Sequence, residues 1–404
     1  MSLSDVKVFG IAGWRLVPKE PRHNTWHNAL YIAAQKLDID LEYLGLLNTY
    51  KMNWIHQILP DSTLRRFPYV NIFSFVKILK YVRSSSGKSN VIYIFEGSFF
   101  WIYILSCIGI FLPNCTVICN LFSSSRYNQR FFENEKMRNW YKLIFKLIQK
   151  NSNLIVTFDT QLMTNKVNKY SGQNLIRFPV PSSFPYKKRN LIEIGTHHRV
   201  LVNLRSFDLT GLHYLLENSC QKCTFVFPRG PLATVPLWIE FGKYENASFD
   251  EAVVPVSEYQ NYIDSFDYMV FLYEPSIDAS GRILDSITRG LPTCVPRQST
   301  EWAYIAKTWG QSNLFDWYSL QDISRTFNHP HFENPKVGIE PPFTPEGSLS
   351  EIVNIGSQIS LPKRKHGYAV KFVVFSSLFI HSTFFAILNL PYRLFMRARL
   401  IFTR

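Results

Sequence analysis

The sequence predicts an α/β fold with two parallel sheets, each covered by helices. Short apolar runs rich in β-branched and aromatic residues, which are typical of buried parallel strands, alternate with helix-length segments along most of the chain. A length of 404 residues is enough for two domains, at about 150 residues for each. A proline-rich run over 175–190 divides the alternating segments into two sets and predicts an extended connector.

The first set of segments predicts a domain over residues 1–182, followed by a linker over 183–195. A loop rich in Pro, Arg and His is expected over 14–27, before a helix at NALYIAAQKL. The apolar run FFWIYILSCIGIFL is too short to span a bilayer and lies between strands, so we expect a buried helix there. Apolar runs predict strands at VKVFGIAG, LEYLGLL, NVIYIFEG, TVICNLF and LIVTFD.

The second set predicts a domain over residues 196–345, with strands at HRVLVNLRSF and CTFVFPRG. The segment 254–296 then follows the order strand, helix, strand, tight turn, helix, turn, strand. Its second helix ends at Gly290, with Pro292 just beyond, which is the usual end of a helix.

The turn before that helix has the chemistry of an anion site. Ser280 and Gly281 follow a buried strand and open the helix. Free backbone N–H groups and the positive end of the helix dipole therefore point outward, an arrangement that suits a phosphate. Arg282, in the first turn, adds a charge-assisted donor.

The spacing of five residues here resembles the donor-binding half of GT-B glycosyltransferases, which have two Rossmann-like domains facing each other across a cleft and use nucleotide sugars. The matching residues are Ser280, Gly281, Asp285, Gly290 and Pro292. The resemblance includes specific motif residues over 196–310, whereas in the first half it concerns only the order of strands and helices. It implies that Ser280, Gly281 and Arg282 hold the donor diphosphate, that Asp285 accepts hydrogen bonds from the ribose, and that the backbone near Val254 and Val256 lines the base.

One departure from the family pattern keeps other functions open. Many retaining members carry a Glu eight residues before the acid, where this chain has Ile277, and neither Glu274 nor Asp278 is in register. Inverting branches therefore remain, as do a non-catalytic scaffold subunit and a sugar-nucleotide epimerase of the same fold. An ordinary turn with Asp285 as a solvated helix residue is the structural alternative.

Two arginines at strand ends are candidates for stabilising the leaving diphosphate. Arg205 and Arg229 follow predicted strands, and ligands of doubly wound sheets bind at the carboxyl ends of strands. A fixed guanidinium there stabilises the negative charge that develops as the glycosidic bond breaks, and the resemblance favours Arg205 for this role. The alternative is that both are surface arginines paired with acids such as Asp208.

An inverting enzyme also needs a base for the acceptor hydroxyl, and Glu96 at the end of a strand is the best-placed carboxylate. His23, His27 and Asp159 are weaker candidates, for which structural roles are the alternative.

Neither the cysteines nor any other motif predicts a metal or a bound cofactor. Cys220 and Cys223 form a C-x-x-C pair without a second pair at zinc-site spacing. The other cysteines lie mostly in apolar segments, as expected of reduced thiols in a cytoplasmic chain. The nucleotide sugar would be a co-substrate.

The positive charge of the chain is concentrated in its last segment. The chain has a formal net charge of +14, and residues 361–404 contain eight Lys or Arg and no acid. The run 372–391 between them is apolar and reaches the length of a membrane span. A segment that spans or lies on an anionic membrane is therefore expected, and a soluble helix docked on the first domain is the alternative. Because the charge flanks an apolar run and no nucleic-acid motif is present, nucleic acid is not an expected partner.

Taken together, these features predict a glycosyltransferase at the cytoplasmic face of a membrane. It would move a sugar from a nucleotide-diphosphate donor to a lipid-linked or nascent polysaccharide acceptor. Residues 346–404 would form the crossover segment and the membrane-associating tail, with the crossover helix before residues 361–365.

Overall fold

The computed structural model describes the greater part of the second predicted domain and less than half of the first. The described residues are 6–12, 21–45, 64–66, 79–84, 89–97, 111–112, 115–121, 139, 154–172, 176–178, 181–189, 197–205, 209–219, 222–228, 243–250, 254, 258–275, 281–358, 368–369, 371–372 and 376.

The strands of the first half form one parallel sheet of seven strands in the order β3-β2-β1-β4-β5-β6-β7. Every side chain of β5 and β6 is buried, as expected where helices cover both faces of a sheet. The strands are β1 (Val6–Ala12), β2 (Asp40–Gly45), β3 (Leu64–Arg66), β4 (Ser89–Gly97), β5 (Cys115–Leu121), β6 (Leu154–Phe158) and β7 (Ile176–Arg177).

The second half repeats this arrangement in a parallel sheet of six strands, ordered β10-β9-β8-β11-β12-β13. When the strands of each half are numbered from its first strand, six of them have the order 3-2-1-4-5-6 in both sheets. This is the doubly wound order of Rossmann folds. The strands are β8 (His198–Arg205), β9 (Cys223–Phe227), β10 (Ala247–Phe249), β11 (Tyr268–Tyr273), β12 (Thr293–Pro296) and β13 (Ser312–Phe315).

Helices connect the strands and cover the sheets. Helix α5 buries Ile283, Leu284 and Ile287, the three apolar residues of its predicted pattern. They join a cluster that also contains Leu201 and Met269 of the second sheet. The helices are α1 (Pro21–Lys36), α2 (Gln161–Ser171), α3 (Leu209–Glu217), α4 (Tyr259–Asp264), α5 (Gly281–Thr288), α6 (Thr300–Trp309), α7 (Leu320–Asn328) and α8 (Pro345–Gln358).

Helix α8 returns the chain to the first sheet, as predicted for a crossover helix before residue 361. A Cβ at Gly356 would lie 2.3 Å from Cγ2 of Val91, so the glycine permits close contact between α8 and β4. Nζ of Lys36 donates to Oε1 of Glu346 at 2.8 Å and ties α8 to α1. The second half therefore has a chain crossing at each end, one before β8 and one before α8.

Two predicted elements differ from the structure. The segment 14–27 was expected to be a loop, but α1 begins at Pro21, because proline lacks the N–H that the first helical position leaves unused. A strand was expected to begin at Val254, which lies outside any strand, and the edge strand β10 occurs earlier, at Ala247–Phe249. Strands β3 and β10 are only three residues long and carry little apolar signal.

Most of the tail over residues 361–404 lies outside the described residues, as does the apolar run at 99–110. Within the described part of the chain, no helix has both the length and the apolar character needed to cross a membrane. Membrane association of the tail stays a prediction.

Candidate functional site

The order of strands reverses between β8 and β11 in the second sheet, which creates a crevice at their carboxyl ends. Arg205 ends β8 and is in register with Tyr273, which ends β11. The chain then re-enters described structure at Gly281, the first residue of α5. In open α/β sheets this crevice is the usual position of a bound ligand.

A hydrogen-bonded pair of the partly buried Arg282 and the buried Asn203 lies beside this crevice. Nη1 of Arg282 donates to Oδ1 of Asn203, a fully buried residue within β8. Nε of Arg282 and Nδ2 of Asn203 are also buried, and neither has a hydrogen-bond partner among the described residues. Such groups are costly to leave unpaired, so this pair offers donors to an incoming acceptor.

The environment of Arg282 keeps its guanidinium charged. Burial disfavours the charge, but nearby acidic groups, Tyr273 first and Asp285 among them, favour it, and the net effect raises the pKa above the ordinary value. The guanidinium and the N-terminal N–H groups of α5 are both positive, so the crevice favours an anion.

Asp285 lies one turn further along α5 and faces the interdomain linker. Its Oδ1 accepts hydrogen bonds from Oγ of Ser182 at 3.0 Å and from the backbone N–H of Ser183 at 2.8 Å. The residue is 3% exposed. It is therefore not the solvated helix residue of the structural alternative, and its ribose role stays a prediction.

The structure brings only part of the predicted site together. Gly281, Arg282 and Asp285 share α5, and the backbone of Arg205 lies at the neighbouring strand end. Glu96 lies near the end of β4, at the carboxyl edge of the other sheet. Ser280, Arg229 and Val256 lie outside the described residues, and Val254 is half-buried and has no regular secondary structure.

The weaker base candidates occupy other settings. His27 is buried in α1 and packs edge-on against Tyr43, with ring centroids 5.0 Å apart. Asp159 is buried just before α2, where the neighbouring Thr160 caps the helix by accepting from the N–H of Met163. His23 lies within α1.

A contact between the two halves shows that their carboxyl edges meet. Glu301, in the first turn of α6, is buried, and its Oε2 accepts from the backbone N–H of Gln161 at the start of α2. Nη2 of Arg177, at the end of β7, lies 2.8 Å from Oε1 of Glu301. Both helices begin at the carboxyl edge of their sheet, so the anion-favouring crevice faces the first half.

Sequence reasoning missed several residues that shape this region. Asn203 is a polar residue within the apolar strand VLVNL, and this interruption of the apolar pattern could have identified it. No local pattern marks Ser182, Ser183 or Glu301, because their partners lie more than a hundred residues away in the chain.

The described cysteines behave as buried structural thiols. Cys115, Cys119, Cys223 and Cys294 are buried. Burial raises the pKa of the Cys115, Cys119 and Cys294 thiols, which keeps them protonated and unreactive. Within the described residues, no three His, Cys, Asp or Glu side chains are placed to hold a metal ion.

A cavity of about 360 Å³ lies at the opposite edge of the second sheet, beside β13 and the end of α7. Its lining includes Asn313, Arg325, His329, His331 and Glu333. Since Ser312, another lining residue, begins β13, this cavity is at the amino end of the strand and is separate from the crevice.

Comparisons with known proteins identify the fold. No family model matches the chain, and no curated protein matches its sequence. A UDP-N-acetylglucosamine 2-epimerase aligns with a TM-score of 0.52 and 13% identity, over 90% of this chain and 100% of that one. Anabaena Alr3699/HepE in complex with UDP-glucose aligns with a TM-score of 0.52 and 11% identity, over 88% and 98% of the two chains.

The lipopolysaccharide outer core galactosyltransferase WaaB is less similar, with a TM-score of 0.46 and 9% identity, over 94% of this chain and 99% of that one. At these identities the likeness concerns the fold alone. The chain has the GT-B fold, which glycosyltransferases and UDP-N-acetylglucosamine 2-epimerases share.

Proposed function

We propose that the protein is an enzyme that binds a nucleotide-diphosphate sugar in the crevice between β8 and β11 and transfers the sugar to an acceptor. The observation that carries this proposal is the contact between the partly buried Arg282, at the start of α5, and the fully buried Asn203, which have buried donors that lack partners among the described residues. A diphosphate supplies the acceptors and the negative charge that such a group stabilises.

The residues have distinct roles in this proposal. Arg282 and the N–H groups of the Ser280–Gly281 turn hold the diphosphate. Arg205 stabilises the charge that develops on the leaving diphosphate, with Arg229 as a second contact. Glu96, at the edge that faces the crevice, removes the proton of the acceptor hydroxyl. The likeness to a structure that contains UDP-glucose supports a UDP-sugar as the first donor to test.

The acceptor side of the proposal rests on the composition of the tail. Eight basic residues flank the apolar run 372–391, a composition that favours anionic membrane surfaces. We infer a lipid-linked or polysaccharide acceptor at the cytoplasmic face of the membrane. If so, the full chain should sediment with phosphatidylglycerol vesicles and remain in solution with phosphatidylcholine vesicles at the same salt concentration.

Epimerisation of the donor is the second candidate function. It is supported by the likeness in fold to a UDP-N-acetylglucosamine 2-epimerase at a TM-score of 0.52. A scaffold that keeps the fold without turnover is the third, and Ile277, in place of the family's Glu, is the residue that supports it.

The first experiment is thermal unfolding of the full chain with UDP, GDP, CMP or ADP. A ligand at a hundredfold excess over its Kd stabilises the native state by about 2.7 kcal/mol. We expect one diphosphate to stabilise the wild type and to have little effect on Arg282→Gln. If the folded wild type is not stabilised by any of the four nucleotides, the proposed site is wrong.

Products then separate the candidate functions. The nucleotide that stabilises the protein is supplied as its hexose or N-acetylhexosamine derivative, with and without a membrane extract as acceptor source. Sugar found in the lipid or polymer fraction supports transfer. A changed sugar configuration on intact nucleotide supports epimerisation instead, and binding without either product supports the scaffold.

A further inference from the structure

Asp285 lies where helix α5 contacts the chain crossing from the first domain to the second. Its carboxylate accepts from the Oγ of Ser182 and from the N–H of Ser183, as described above. Ser182 is fully buried, and its Oγ in turn accepts from the N–H of Phe184 at 3.2 Å. The first crossing is thus tied to α5 at one carboxylate.

The same serine binds the second crossing. The backbone N–H of Ser182 donates to the carbonyl oxygen of Phe343 at 2.7 Å. Phe343 lies two residues before α8, which packs on the first sheet at Gly356 and binds α1 through Glu346. Asp285, Ser182 and Phe343 therefore link α5 to both chain crossings in one continuous set of hydrogen bonds.

After Ser183, hydrogen bonds and ion pairs hold the linker to the second domain. The N–H of Lys187 donates to the carbonyl of Thr288 at 2.7 Å, and Nη1 of Arg289 donates to the carbonyl of Pro185 at 3.0 Å. Asp264 on α4 accepts from Lys187, Arg189 and Arg289. Because this part of the linker is fixed to α4 and α5, we expect the chain to bend between the domains before Ser182 and near Phe343.

We propose that Asp285 is the hinge anchor of this protein, a positioning residue that holds both interdomain crossings against the helix that carries Gly281 and Arg282. Its carboxylate orients the crossings and does not contact the ligand. The hinge role follows from the contacts of Asp285 alone, and the coupling to a nucleotide rests on the proposed function. An anion that pulls on the first turn of α5 changes the position of Asp285 one turn away, and with it the angle between the domains.

Amide hydrogen exchange of the full chain tests the anchor without any nucleotide. We expect Asp285→Ala to raise the exchange rates of the Ser182 and Ser183 amides, and of the segment around Phe343, by about tenfold or more. Asp285→Asn should stay within about threefold of the wild type, because its amide oxygen still accepts both hydrogen bonds. Circular dichroism confirms that each variant is folded.

Asp322→Ala is a matched control, because Asp322 is another largely buried acid of the second half, where it accepts from Arg297 and Arg325 away from both crossings. It should leave the exchange of the crossings unchanged. If Asp285→Ala speeds exchange only within α5, or only in the first crossing, the anchor is wrong.

Ligand binding then separates the anchor from the ribose role. We expect Asp285→Asn to bind the nucleotide within about threefold of the wild-type Kd, and the nucleotide to slow exchange around Phe343 in both proteins. A loss of affinity of tenfold or more in Asp285→Asn, with crossing exchange unchanged, would assign Asp285 to the ribose and overturn the anchor. If no nucleotide binds the wild type, the proposed function fails, and the nucleotide-free exchange decides the anchor by itself.

Discussion

The two sheets share one strand order but carry different polar residues in their interiors. In the first sheet, Asn120 on β5 and Thr157 on β6 are fully buried and uncharged, and Oγ1 of Thr157 donates to Oδ1 of Asn120 at 3.1 Å. In the second sheet, Asn203 on β8 accepts from the charged guanidinium of Arg282. The strand order therefore does not distinguish the two sheets, but the charge on the partner of the buried asparagine does.

The position of these pairs differs as well. Asn203 lies beside the point where the strand order reverses, whereas Asn120 and Thr157 lie on strands that are consecutive neighbours in the order. Nδ2 of Asn120 and Nδ2 of Asn203 are both buried without a hydrogen-bond partner among the described residues, so the unpaired amide does not distinguish the two sheets. The difference is the guanidinium, because a cation at a reversal point can meet a ligand. A fold with two similar sheets can thus assign anion binding to one of them by placing a single arginine.

The largest expected effect concerns the contact that holds the two carboxyl edges together. Glu301→Ala should lower the free energy of unfolding by about 3 kcal/mol, because it leaves the guanidinium of Arg177 without its carboxylate and removes the acceptor at the start of α2. Urea denaturation measures the change. The double variant Arg177→Met, Glu301→Leu should lose less free energy of unfolding than the two single variants lose in total. If the two losses simply add, Arg177 and Glu301 do not interact.

Two glycines that end helices offer a second comparison of the halves. Gly172 after α2 has φ +64°, and among the described residues no atom lies within 4 Å of the position that an alanine Cβ would take. Gly290 after α5 has φ +65°, and the carbonyl oxygen of Lys187 lies 2.4 Å from that position. Gly172→Ala should cost about 1 kcal/mol for its left-handed backbone. Gly290→Ala should cost about 1–2 kcal/mol more, because the linker must also move. Equal thermal destabilisation of both variants would show that the linker does not press on Gly290.

The part of the second sheet that the sequence predicted best is the unit from β11 to β12. Its strands are buried on both faces and read as continuous apolar runs, and Gly290 has the positive φ that a helix-ending glycine provides. These signals are local, so they can be recognised in the sequence without knowledge of the fold. The same reasoning failed for β3 and β10, since strands of three residues at a sheet edge need little apolar surface.

The candidate site was predictable only where its chemistry is local. The start of α5 at Gly281 and the position of Arg282 in its first turn were predicted, because a helix start and an adjacent cation are visible in the three consecutive residues Ser280, Gly281 and Arg282. The partners of Arg282 and Asp285 were not, since Asn203 is 79 residues and Ser182 is 103 residues away in the chain. Which buried polar groups pair is decided by tertiary packing, and one sequence does not encode that pairing in any local pattern.

A smaller effect, confined to ligand binding, should separate the two buried asparagines. Asn203→Leu removes the acceptor that orients Arg282, so we expect nucleotide affinity to fall about tenfold, or ~1.4 kcal/mol. Asn120→Leu removes the matching amide of the first sheet and should leave the affinity within about twofold. Isothermal titration calorimetry measures both constants. Equal losses in the two variants would mean that the effect arises from general loosening of the fold and not from the crevice.

The smallest effect is a loss of stability in acid that arises from Asp264 in the second half. Partial burial would raise the pKa of Asp264, but hydrogen bonds from Arg289 and Lys187, and their charges, outweigh it and hold the pKa at about 2. Because the folded pKa is below the unfolded value, the stabilisation is present above about pH 4 and is lost as the pH falls towards 2. Allowing for solvent screening, we expect the loss to be about 1 kcal/mol. Urea midpoints between pH 5 and 2.5 should fall less steeply in Asp264→Asn than in the wild type, because the variant has no carboxylate to protonate at this position. Parallel curves would show that Arg289 and Lys187 do not depress the pKa of Asp264.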